Sequence, residues 1–103
     1  MSNKNIPEYL ISTYTLLEKA FTGQLDDDQY FIVLYYLYDY IADDHLAKVM
    51  ADITKRNYWV IMNDLLFIGS INDITDLKIP VEVIKNIKYA LDKAGYKKWT
   101  EEE

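Results

Sequence analysis

The chain has 103 residues, with 17 acids against 11 bases for a formal net charge of −6, no cysteine, and hydrophobic residues at half of its positions. That length amounts to one domain, enough to bury roughly two thirds of the surface exposed by the unfolded chain, and three glycines with two prolines argue against many short strands. The missing cysteines exclude a disulfide framework and thiolate metal sites, while the acidic balance, which repels phosphate, argues against nucleic acid as the primary partner.

The N-terminal residues lead into an amphipathic pattern without an apolar leader-like segment, and no apolar run approaches the roughly 18 to 20 residues that span a bilayer. The expectation is a cytoplasmic protein with no membrane contact: a flexible N-terminus at 1–5, one helical domain at 6–96 and a flexible acidic tail at 97–103. The first helix is predicted from Pro7 to about Phe21, with Leu10, Tyr14, Leu17 and Phe21 as its inward stripe and Gly23 behind its end. Asp26 or Asp27 then caps a helix reaching Ile41. Apolar or aromatic side chains fill nearly every position from Tyr30 to Ile41, so this helix at about 27–41 should be covered on most sides. Its main stripe is Tyr30, Val33, Leu34, Leu37 and Ile41, with Phe31, Tyr35 and Tyr38 as a second ridge.

Asp43 is read as the cap of a third helix running to about Lys55, with Leu46, Val49, Met50 and Ile53 inward. A fourth helix, Tyr58 to Ile68, opens at Asn57 and carries Trp59, Val60, Met62, Leu65, Leu66 and Ile68; its first five residues can also be written as a buried strand. A loop follows, held by Ile71, Ile74 and Leu77. Pro80 begins the last helix, whose stripe is Val83, Ile84, Ile87, Leu91 and Ala94, and Gly95 stops it, with Tyr96 folding back over that end. The fold class is therefore all-α, a single small domain of four to five helices packed around the aromatic-rich helix.

Gly23-x-Leu25, Asp28-x-Tyr30, Leu34, Leu37, Ala42-Asp43-Asp44, Val49, Ile74-Thr75-Asp76, Ile87, Leu91 and Ala94-Gly95-Tyr96 together resemble an uncharacterised family of small helical bacterial proteins, best represented in actinobacteria. The likeness spans roughly residues 17–96. It implies a helical fold and carries no site residues, and the family is richer in Arg, Ala and Pro where Lys, Tyr and Ile prevail here.

Catalytic readings find little support. His45 is the only histidine and sits at a helix start between Asp44 and Leu46, where a solvated side chain is the simpler account. No serine lies in a Gly-flanked elbow, and Asp26-Asp27-Asp28 lacks the alternate oxygens, central glycine and distal glutamate of a calcium loop. The expected protein is not an enzyme and holds no cofactor or metal. Charge, however, is uneven: residues 24–52 carry seven acids against Lys48, whereas 53–98 carry eight bases against five acids. Tyrosine favours protein interfaces, and Tyr35, Tyr38, Asp39, Asp43 and Asp44 are the candidate protein-binding residues. They define an acidic, non-catalytic module for a basic protein partner, such as an inhibitor or immunity-type partner of a basic bacterial protein. The alternatives are a structural homodimer and, last, weak binding of nucleic acid or an anionic surface through Lys85, Lys88, Lys93, Lys97 and Lys98 of the C-terminal helix.

Overall fold

The computed structural model describes residues 6–102, which form six α-helices and one 3₁₀ turn with no strand among the described residues. In order these are α1 (Glu8–Ala20), α2 (Asp27–Leu37), α3 (Asp43–Thr54), α4 (Tyr58–Ser70), the 3₁₀ turn Ile74–Leu77, α5 (Val81–Lys93) and α6 (Tyr96–Glu102). The Cα radius of gyration, 12.9 Å, matches the ~13 Å of a compact unit of this length. The expectation of a flexible stretch at 1–5 lies outside the described residues.

Local chemistry accounts for most helix starts. Asp26 accepts from the Gln29 backbone N–H at 2.9 Å while the Gln29 side chain accepts from the Asp26 N–H at the same distance, so two otherwise unpaired donors are satisfied reciprocally. Asp27 and Asp28 follow in the first turn, beside the positive end of the helix dipole. Asn57 caps α4 through the backbone N–H groups of Trp59 and Val60. The segment from Tyr58 is thus helical from its first residue, which removes the strand alternative. Pro7 and Pro80 stand one position ahead of α1 and α5 rather than inside them.

Two boundaries differ from expectation. First, α2 ends at Leu37, four residues short of Ile41; the chain turns through Tyr38–Tyr40, with the Tyr40 N–H bonded to the Leu37 carbonyl. Ile41 is still buried, because the turn swings it inward, and an apolar period alone does not distinguish that from another helical turn. Second, the cap of α3 is Ala42, whose carbonyl accepts from the Leu46 N–H; Asp43 makes no side-chain cap bond and instead occupies the first turn together with Asp44.

The largest difference is at the C-terminal end. Gly95 takes a left-handed conformation (φ +104°) that L-residues adopt only under strain, ending α5 as expected. Its carbonyl then accepts from the Trp99 N–H and opens a sixth helix over residues expected to be tail. Trp99 is 3% exposed, and its indole N–H donates to the buried Thr13 hydroxyl of α1 at 3.1 Å. Tyr96 reaches α2, donating to the Tyr36 carbonyl at 2.6 Å. Six helices therefore replace the expected four to five.

The packing is distributed. α3 and α4 form a helical hairpin; α2 packs on α4, α5 and the 3₁₀ turn, and α1 packs on α3, α5 and α6. Tyr30, Ile32, Val33, Leu34 and Leu37 of α2 are fully enclosed, joined in the core by Leu10, Leu16 and Leu17 from α1 and Leu46, Val49 and Met50 from α3. Removing the Trp99 side chain should lower the unfolding free energy by about 3–5 kcal/mol, measured as a shift of the denaturant midpoint in Trp99→Ala. A change within about 0.5 kcal/mol would show that α6 contributes no packing.

An acid-fringed apolar surface as the candidate binding site

Three of the five residues selected from the sequence converge. Tyr38 at the end of α2, Asp39 in the turn and Asp43 in the first turn of α3 line one open cleft of about 470 Å³, facing Leu65, Leu66 and Gly69 of α4. No lysine or arginine lines it. Asp44 points elsewhere, with its carboxylate 4.0 Å from the His45 imidazole, whose ring lies 4.6 Å from that of Tyr9. Tyr35 stays outside the cleft but touches its wall, its ring 6.2 Å from that of Tyr38. Asp39 faces two ways, because it also lines a separate open depression with Tyr9, Tyr40 and His45.

The tyrosines divide by role. Tyr30 is fully buried; its hydroxyl donates to Asp64 of α4 at 2.6 Å and the Arg56 guanidinium lies 4.0 Å from its ring centre. Arg56 also meets Asp27 at 2.9 Å, so one cation bridges the start of α2 and the α3–α4 connection. Tyr14 of α1 donates to Asp52 of α3 at 2.8 Å, and Tyr36 packs edge-on against Tyr96. These four rings brace the core. Tyr38 and Tyr35 lie at the boundary and Tyr40 is exposed.

What the sequence reading did not separate is the outer half of α4. Only Ile61, Leu65 and Ile68 of that helix are buried, while Trp59 is 72% exposed, Val60 51%, Leu66 70% and Phe67 47%. The signal was present in the sequence: Tyr58-Trp59-Val60-Ile61-Met62 and Leu65-Leu66-Phe67-Ile68 are apolar around more of the helix than one buried stripe requires. On the far side of this face a second cleft of about 250 Å³ is bordered by Asp27, Asp28 and Asp76 around Phe31, Phe67 and Leu77, with Phe31 and Phe67 edge to face at 6.2 Å. The arrangement offers apolar area and negative charge. Among the described residues no three His, Asp or Glu side chains converge as a metal set, and no helix is long and apolar enough to cross a membrane.

Comparison of the chain with models of known protein families, with curated proteins and with solved structures found no match.

The phenols of Tyr14, Tyr30, Tyr36, Tyr38 and Tyr96 are all held above their ordinary range. Burial is the first cause in each; the Asp52 and Asp64 hydrogen bonds add to it at Tyr14 and Tyr30, and the Asp39 carboxylate adds to it at Tyr38. The unfolded chain releases these protons near pH 10, so their stabilisation is complete below that pH and declines as the pH climbs toward the raised folded values. The tyrosinate absorbance should remain incomplete until helical circular dichroism is lost. Full ionisation near pH 10 with the helices intact would contradict these placements.

Proposed function

We propose that this chain is a non-catalytic acidic module that binds a basic protein, in the manner of an inhibitor or an immunity-type partner of a basic bacterial protein, through Tyr35, Tyr38, Asp39, Asp43 and Asp44. The observation that carries the reading is the shared cleft: Tyr38, Asp39 and Asp43 meet the exposed Leu66 with no neutralising base in the lining. Aromatic and aliphatic anchors inside a charged fringe suit protein recognition, with the fringe steering the approach. In this reading α2 is the element around which the others are arranged, supported by the complete burial of five of its side chains, and the likeness to small helical bacterial proteins enters for the fold only.

The alternatives draw less support. A homodimer through the surplus apolar face of α2 would use the ridge of Phe31, Tyr35 and Tyr38, which is already half-buried against the chain's own core. In the basic C-terminal region Lys88 is tied to Asp92 at 3.2 Å, and Glu82, Glu101 and Glu102 share α5 and α6 with the lysines, which dilutes the positive charge offered to nucleic acid or an anionic surface.

The test is affinity capture from the source cells followed by mass spectrometry, run in parallel with wild type and the Asp39→Lys, Asp43→Lys double variant. The expected result is a basic protein retained by wild type, released as salt rises well above about 0.15 M, and lost by the double variant. A set of retained proteins that ignores both salt and charge reversal would overturn the reading.

A further inference from the structure

The acidic corner uses only Leu66 of the outer face of α4, which also exposes Trp59, Val60 and Phe67. We infer that this face seats one amphipathic helix of the partner protein, apolar along its centre with Lys or Arg along both edges; the inference rests on the acidic-module reading and specifies its contact. Trp59, Val60, Asn63, Leu66 and Phe67 stand at i, i+1, i+4, i+7 and i+8, one side of the helix. From Trp59 to Phe67 the axis advances about 12 Å, the two turns over which helix-in-groove anchors are spaced. The opposite side is pinned by Ile61, Leu65 and Ile68 in the core, so the outer face is presented permanently. A Cβ placed on Gly69 would meet nothing within 4 Å, which leaves room beside Leu66 for an entering side chain.

Charge selects the occupant. Asp39 and Asp43 lie on the Leu66 side and Asp27, Asp28 and Asp76 on the Phe67 side, and neither cleft is lined by a lysine or arginine. Arg56 offsets Asp27; the remaining carboxylates still make both edges negative. A second copy of this chain is a poorer fit, because α4 carries no lysine or arginine of its own to meet the carboxylates beside Leu66 and Phe67. Anionic lipid and nucleic acid are repelled by the same edges. An added strand finds no sheet edge among the described residues. A helix with cations on both flanks satisfies the apolar centre and the two rims at once.

Three synthetic peptides of about 18 residues test this: one with leucine along one face and arginine along both edges, one with glutamate in place of arginine, and one of the first peptide's composition scrambled around the helix. Trp59 is exposed and Trp99 is buried, so a blue shift of tryptophan emission reports the α4 face. The arginine peptide should bind at least about tenfold tighter than the other two, and Leu66→Gln, a change at an exposed position, should weaken it about tenfold with the helical circular dichroism unchanged. Equal binding of all three peptides, or no effect of Leu66→Gln, overturns the inference. So does a concentration-dependent dimer in sedimentation that Leu66→Gln abolishes, since that assigns the face to a second copy. The capture experiment separates the two levels: a basic protein still lost on reversing Asp39 and Asp43 but indifferent to Trp59→Gln, a change on the α4 face outside the acidic cleft, ends the α4 inference alone, whereas indifference to both sets of substitutions ends both.

Discussion

The hydrogen bond from the enclosed Tyr30 hydroxyl to Asp64 locks α2 to the inner half of α4 and so helps to fix which half meets water. A phenol at zero exposure must find a partner or lose the full cost of its desolvation. Asp64 supplies that partner, and its direction agrees with the rotation of α4 that the buried apolar stripe requires. With Asp64 turned toward α2, Ile61, Leu65 and Ile68 enter the core while Trp59, Leu66 and Phe67 turn away from it. Arg56 strengthens the arrangement from the other side by lying over the same ring and reaching Asp27 at the start of α2. The exposed apolar face thus follows from the buried stripe of Ile61, Leu65 and Ile68 together with the polar group satisfied beside it.

Much of the fold could be read where a single residue type has a single local use. The Asp26 and Asn57 caps and the stop at Gly95 belong to this class, because their side chains, or the lack of one, act on backbone groups within a few positions. The end of α2 could not be read that way. Ile41 is buried whether it prolongs the helix or follows a turn, and the inward stripe is the same in both cases. The sixth helix escaped for a related reason: Gly95 ends one helix, but its carbonyl also begins the next, and the contact that holds α6 is to Thr13, 86 residues away. A local pattern carries no trace of so distant a partner.

The candidate site was legible in part. Its charge came from the acidic third of the chain, and Tyr38, Asp39 and Asp43 do share a cleft. Asp44 and Tyr35 were grouped with them by proximity along the chain, yet the turn after α2 sends Asp44 toward His45. The apolar half of the surface went unseen because apolar residues on a helix are read as core by default, and only the tertiary packing tells which face is covered.

The indole of Trp99 and the hydroxyl of Thr13 join the first helix to the last. The fold is therefore closed like a ring rather than laid out as a row, and a mechanical pull between its two extremities would load this clasp before it reached the α3–α4 hairpin. The outer face of α4 lies on that hairpin, outside the line of force, so tension borne by the chain would first peel away α6 and leave the Trp59–Phe67 surface whole.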